Sequence, residues 1–211
     1  MNNSQSPILD FSRSDPNKGT LFDTRDGQSY QVVKIGNQIW LAENFRYLPS
    51  KEKGDLYENS CVYDNDNNYL DLYYGRLYDW NTANIIAPEG WKLPNNQDFI
   101  ELKDFINKDN NLVENDFNVG SYLKSVNGWN KSTNIEPNTD KYGFNAKPAG
   151  FFNNESGKFY YSRGDASFWS TTEIYNSSRV GYWDMNYDCE DFSGGYDVNG
   201  NCRFSVRLIK I

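Results

Sequence analysis

The run from Gly90 to Lys108, GWKLPNNQDFIELKDFINK, constrains this chain more than any other. A proline-marked turn leads to Asn95, which can cap a helix, and Asp98 stands three residues later, where a capping box places an acidic partner. Phe99, Leu102, Phe105 and Ile106 then recur at helical spacing and share one face, while Asp98, Glu101 and Asp104 fall mostly elsewhere. Asp104 can meet Lys108 at i,i+4. Such a helix must lay its apolar stripe on another layer, and its neighbours say what that layer is. Tyr30 to Ala42 reads as a hairpin turning at Gly36-Asn37. Beyond a second helical piece at Val119 to Ser125, with Tyr122 and Leu123 apolar, come short strand-like runs at Gly150–Phe152, Lys158–Tyr161, Ser167–Thr171, Val180–Met185 and Arg203–Ile209. Two helices set among short antiparallel strands and long loops predict an α+β fold.

The 211 residues suit one core, which must be built from aromatic side chains: 17% of the chain is Phe, Tyr or Trp, yet the mean hydropathy is -0.83. The polar stretch 1–19 reads as a flexible N-terminal tether and 20–211 as the domain. No apolar run approaches the roughly 20 residues that span a bilayer, and no charged-then-apolar leader opens the chain, so it reads as soluble with no transmembrane segment. A net charge of -8 argues against nucleic acid as a partner. The absence of histidine excludes a Ser-His-Asp triad, a Cys-His pair and any histidine-bearing metal site.

Three cysteines remain. Cys189 and Cys202 flank a turn-rich segment and form a candidate short-loop disulfide; reduced thiols are the alternative. In CVYDNDNNYLDL, the residues Asp64, Asp66, Asn68 and Asp71 crowd oxygen ligands into one loop, a candidate calcium site, although Tyr69 stands where an EF-hand loop needs glycine. No other cofactor is implied. Glu136-Pro137-Asn138 spells a tripeptide of sugar-binding lectins, without the lectin cysteine framework.

The series VKIGNQIWLAENF, YGRLYDWNTA, APEGWKLPNNQDF, YLKSVNGW, YGFNAKPAGF, FWSTTE and FSVRLIK, in that order, resembles the Fibrobacter succinogenes major paralogous domain from about Thr20 to Ile211. That family is similar to the sulfatase-modifying-factor, or formylglycine-generating-enzyme, branch of C-type-lectin-like folds. The resemblance implies a single α+β domain whose N- and C-terminal strands lie together, with ligand-facing loops. It also implies export, often as a surface lipoprotein, with a native leader absent from the sequence in hand. Relatives often pair a cysteine at the position of Cys61 with one close after it, and here none lies between Cys61 and Cys189. Trp40, Trp80, Trp91 and Trp169 in these motifs read as core residues.

The function expected is recognition without catalysis, at the cell surface, of a protein or glycan ligand. The C-terminal third is rich in Tyr, Asn, Ser and Asp, a vocabulary of rigid aromatic area and adaptable hydrogen bonds. Tyr175, Asn176, Arg179, Tyr182, Asp184, Asn186, Tyr187, Asp188, Tyr196 and Asn199 are the candidate ligand-binding residues. With period 2, Tyr182 and Asp184 share one strand face and Trp183 and Met185 the other, and one face must be core. The same region resembles the variable region of diversity-generating-retroelement proteins. A structural or adhesin subunit of a surface assembly is a further alternative. A copper-dependent oxidase of the formylglycine-generating kind is the last, and the spacing of Cys189 and Cys202 does not match it.

Overall fold

The computed structural model describes residues 6–48, 59–71, 74–112, 118–133, 135–198 and 201–211. Its described part is mostly β-sheet with few helices, an α+β architecture. The strands are β1 (Ile8–Phe11), β2 (Lys18–Asp23), β3 (Gln28–Ile35), β4 (Gln38–Leu41), β5 (Ser60–Cys61), β6 (Leu77–Tyr78), β7 (Trp91–Lys92), β8 (Phe151–Asn153), β9 (Lys158–Tyr160), β10 (Asp165–Glu173), β11 (Arg179–Asn186), β12 (Ser193–Val198), β13 (Cys202–Ser205) and β14 (Ile209–Lys210). The helices are α1 (Asn68–Asp71), α2 (Trp80–Ile85), α3 (Asn96–Asp109) and α4 (Gly120–Leu123). One sheet runs β1-β2-β3-β4-β14-β7, and the other β12-β11-β10-β13-β6-β5 with β8 and β9 branching from β13. The C-terminal strand β14 therefore closes between β4 and β7, pairing Ile209 with Trp40 and with Lys92. Among the described residues the strand pairings are antiparallel except that of β10 with β13, and an isolated parallel bridge joins Lys124 to Ala146.

Alternation along the strands explains why both faces of the sheets are covered. On β3, Tyr30 and Val32 enter one apolar cluster and Val33 and Ile35 another. The partition repeats on β10, where Trp169 joins the first and Ala166 and Phe168 the second. Helix α3 packs into the second cluster, its Phe99 stacked 5.3 Å from Trp40 and 5.4 Å from Trp183. Its start is the predicted one: Asn95 accepts from the Asp98 amide, and Asp98 returns the bond to the Asn95 amide. Phe99, Leu102 and Ile106 are fully buried. Asp104, half exposed, pairs with the buried Lys103 at 3.7 Å rather than with the expected Lys108.

The hairpin lies where the sequence places it: Ile35 faces Gln38 across Gly36-Asn37, and Gly36 takes φ 59. Residues 8–11 correct the N-terminal reading. They form β1, hydrogen-bonded along β2, with Leu9 and Phe11 packed against the first cluster; residues 1–5 lie outside the described residues. Ile8, Leu9 and Phe11 around Asp10 do not alternate in the sequence, and only their burial does, so four residues carry no period-2 signal that stands out from a polar leader.

The strongest long-range tie is Arg207 of the SVR segment. Fully buried, its guanidinium donates to the carbonyls of Leu41 at 3.2 Å and Asn145 at 3.4 Å, to Asn44 Oδ1 at 2.6 Å, and to the carbonyl of Phe144. It also lies 4.6 Å and 5.2 Å from the ring centroids of Phe144 and Phe168. Burial lowers its pKa to about 9, against the pull of Asp140 and Glu43. One residue thus holds the β4 exit, the 144–145 segment and the C-terminal strand in register.

Candidate functional site

The β10–β11 hairpin has its strands in the core and its turn at the surface. β10 and β11 join through residues 174–178, closed by the amide of Ile174 on the Arg179 carbonyl at 3.0 Å and the amide of Ser177 on the Ile174 carbonyl at 3.0 Å. Asn176 takes φ 55, a left-handed conformation that asparagine tolerates. Tyr175 at this tip is 90% exposed, the most exposed large hydrophobic side chain among the described residues. The base of the hairpin is held against the start of α3: the Thr171 amide donates to the Pro94 carbonyl at 2.8 Å and the Asn96 amide to Thr172 Oγ1 at 2.9 Å. The Asn96 side chain then accepts from Trp183 Nε1 at 3.0 Å and donates to the Tyr196 hydroxyl at 3.3 Å. A capped helix therefore buttresses an exposed aromatic tip.

Nine of the ten candidate residues are described, and they separate into four places. Tyr175 and Asn176 form the tip, beside Arg179, which donates to the Tyr196 carbonyl at 3.4 Å. Tyr196, 39% exposed, faces the α3 side of β12. Tyr182, Asp184 and Asn186 lie on the opposite face of β11, since Trp183 and Met185 enter the second cluster. Tyr187 packs partly buried against that cluster, and Asp188 is exposed beyond it. Asn199 lies outside the described residues. The structure thus gathers Tyr175, Arg179 and Tyr196 at one end, and places Tyr182, Asp184 and Asn186 on the opposite face of β11, where Tyr182 packs against the first apolar cluster and only the Asp184–Asn186 end is polar.

That face includes residues the sequence reading missed. Asp165 and Ser167 on β10 stand opposite Asn186 and Asp184, and Asp197 on β12 stands opposite Val180. Strand register alone assembles this set, so the missed signal was the pairing of two runs whose alternation was already visible. Burial pushes the Asp165 carboxyl up to about 7, with Asp184 adding to it, and pushes Asp184 up to about 6, with Asp191 adding. The Ser167 hydroxyl donates to Asp165 Oδ1 at 3.1 Å.

Gly194 and Gly195 are strand-interior residues rather than a turn. A β-carbon on Gly194 would meet the Trp183 ring at 3.1 Å, and one on Gly195 the Tyr182 ring at 2.7 Å. The pair lets two aromatic rings lie across β12, one on each face.

The expected Cys189–Cys202 disulfide is not formed; both are free thiols, as is Cys61. Cys202 opens β13, paired with Asn153 of β8, and its thiol accepts from Asn153 Nδ2 at 3.8 Å. Burial beside Asp197 pushes that thiol up to about 12, so it stays neutral. The Cys189 segment is held elsewhere, where the buried Lys124 ammonium donates to the carbonyls of Asn186 and Cys189. The amide of Gly120 fixes the same loop through the Glu190 carbonyl at 2.7 Å.

In the candidate calcium loop Asp64, Asp66 and Asn68 are exposed, and Asp66 Oδ1 accepts from the Asn68 amide at 2.9 Å in a local turn. The Asp71 side chain lies outside the described residues. Among the described residues no three Asp, Glu or Cys side chains gather as a metal site. Glu136, in the lectin-like tripeptide, donates its amide to Glu190 Oε1 at 3.2 Å. Among the described residues no helix is long and apolar enough to cross a membrane.

The motif tryptophans have structural work. Trp80 Nε1 donates to the Ser170 carbonyl at 2.8 Å and Trp169 Nε1 to the Tyr78 carbonyl at 2.7 Å, so two motif segments pin each other. Trp40 and Trp91 are buried as well. No curated protein and no solved structure matches the chain. The family model of the Fibrobacter succinogenes major domain matches residues 33–210, from the β3–β4 hairpin through the Arg207 clamp to β14. With the order of its motifs, the pinned tryptophans and the model match in agreement, the chain belongs to the Fibrobacter succinogenes major domain family.

Proposed function

We propose that this domain is a non-catalytic recognition module of the C-type-lectin-like kind, displayed at or beyond the surface of a bacterial cell, and that it binds a protein or glycan through the end bearing Tyr175, Arg179 and Tyr196. The observation that carries the reading is the exposed tip on a braced base: Tyr175 is 90% exposed, while the strands below it are tied to α3 through Asn96 and Thr172. An aromatic side chain held out on a rigid hairpin presents contact area at low conformational cost. The closing of β14 beside β4 supports the lectin-like kinship, in which the chain ends lie together.

A screen of the immobilised domain against glycan and surface-protein arrays tests the reading. A retained ligand whose Kd rises about ten-fold or more in Tyr175→Ala, the loss expected for an aromatic anchor, supports it. Retention that is indifferent to Tyr175, Arg179 and Tyr196 contradicts it.

A further inference from the structure

Among the described residues, the non-glycine positions with positive φ are Asp and Asn residues, Arg163 and Tyr161, the last at φ 58. Asparagine and aspartate tolerate this left-handed region, whereas a bulky side chain there carries a conformational cost. Burial of the ring does not offset that cost, because Tyr161 is 62% exposed. The backbone is nonetheless fixed from several sides. The Tyr161 carbonyl accepts from the amides of Gly164 at 2.8 Å and Asp165 at 3.0 Å, the Arg163 amide donates to the Pro148 carbonyl at 2.9 Å, and the Asn130 amide donates to the Arg163 carbonyl at 2.7 Å. Gly150 leaves room for the turn, since a β-carbon there would lie 2.9 Å from the Tyr161 carbonyl carbon.

This conformation re-aims the ring. On the β8–β9 hairpin Phe151 faces Tyr160 and Phe152 faces Phe159. Phe151 packs on the first apolar cluster, whereas Phe152 and Phe159 pack on a smaller one around Leu77. Continued alternation would send Tyr161 to the Phe159 side. At φ 58 its ring lies instead 5.9 Å from Phe151 and 6.1 Å from Tyr160. Those two stack at 5.6 Å, and Phe151 stands edge-on to the buried Phe204 at 5.6 Å. The three rings are tilted by only 30°, 41° and 39° to one another, so they form one aromatic surface braced from the core.

The size and edge of that surface say what fits it. An aromatic side chain offers about 150–250 Å², and Phe151 and Tyr160 are already half-buried. Their sum falls short of the roughly 800 Å² per partner of a standard protein interface, which leaves a small ligand with a flat face. The edge supplies hydrogen bonds: the Tyr160 hydroxyl donates to Ser156 Oγ at 3.2 Å, and Asn153 Oδ1 accepts from the Ser156 amide at 2.8 Å. A pyranose with equatorial substituents has the matching division, a face of axial C–H bonds that stacks on the π face of a ring and a rim of hydroxyls.

We propose that Tyr161, with Phe151 and Tyr160, is a stacking platform for an oligosaccharide of equatorially substituted pyranoses. It precedes β10, whereas the Tyr175 tip follows it, so this second site does not depend on the recognition reading of the tip. The strained backbone holds the Tyr161 ring in place before the ligand arrives, which lowers the ordering cost of binding.

Isothermal titration calorimetry of the whole chain with β-1,4-linked hexasaccharides of glucose, xylose and N-acetylglucosamine tests the platform. At least one is expected to bind with a Kd below about 1 mM. Tyr161→Asn, which removes the ring and suits the left-handed backbone, is expected to raise that Kd about ten-fold or more while the thermal midpoint holds or rises. Tyr161→Phe should keep the affinity to within about three-fold, since the ring face remains, and Tyr175→Ala should leave it unchanged. Four results would each overturn the proposal: no binding of any of the three sugars, an unchanged Kd in Tyr161→Asn, a loss of binding in Tyr175→Ala, or a Tyr161→Asn midpoint lowered by more than about 3 °C. That last shift exceeds what an unstrained, non-packing position gives, and would mean that the ring serves stability.

Discussion

Arg207 and Gly150 show how much of this domain rests on single residues. The Arg207 guanidinium satisfies the carbonyls of Leu41, Phe144 and Asn145 and the side-chain oxygen of Asn44 where no water reaches them. Arg207→Met keeps apolar contact with the Phe144 and Phe168 rings but strands those acceptors, and a loss of about 3 kcal/mol in urea denaturation is expected. An unchanged midpoint contradicts the clamp. Gly150 takes φ 63, and a β-carbon there would lie 2.2 Å from the Tyr160 carbonyl oxygen. Gly150→Ala therefore combines a left-handed conformation with a backbone clash and is expected to destabilise by about 2 kcal/mol or more, read as a fall in thermal midpoint. Neither role was legible in the sequence. Arg207 stood in a recognised motif, but its acceptors come from segments more than sixty and more than one hundred and sixty positions away, and no local pattern encodes such a meeting. The role of the Gly194-Gly195 pair is hidden for a related reason: its clearance serves side chains on the neighbouring strand, which become neighbours only once the register is set.

Elements whose signals are local were legible. The capping box of α3, its apolar stripe and the Gly36-Asn37 turn all depend on residues within one or two turns of each other, and all appear where the sequence places them. Asn95→Ala removes one side of the capping box and is expected to lower stability by about 1 kcal/mol, measured as a shift of the denaturation midpoint with the slope unchanged. A normal midpoint would mean that tertiary packing alone fixes this helix start. Short elements without internal period were missed: β5, β6 and β7 span two residues each and exist only through their partners. α2 escaped notice although Asp79 caps it, accepting from the Thr82 amide at 2.8 Å, because its six residues carry too little periodicity. The candidate site was read in composition but not in arrangement. The Tyr- and Asn-rich vocabulary singled out β11, β12 and the turns around them by composition, while the division into a tip and a carboxyl-bearing stretch follows from pleat and register. The cysteines were judged by spacing along the chain, whereas Lys124 and β13 hold their segments in different surroundings.

At the scale of the whole molecule, the two sheets and α3 form a scaffold in which both apolar clusters draw on the same strands. The stretch matched by the family model includes its main ties: the pinned tryptophans, the capped helix and the Arg207 clamp. The tip and the β12 edge lie at its margin. Substitutions at the margin should therefore change binding while sparing the fold, and substitutions inside should do the reverse. The most direct measurement is a paired one on two variants, Tyr175→Ala/Arg179→Ala/Tyr196→Ala and Gly150→Ala, each assayed for unfolding midpoint and for affinity toward a ligand retained in the array screen. The account predicts that the triple variant keeps its midpoint to within about 1 kcal/mol, as expected of exposed positions, and binds at least about ten-fold more weakly. Gly150→Ala should show a lowered midpoint and, below its melting range, an unchanged Kd. A triple variant that binds as tightly as the wild-type chain would contradict the account.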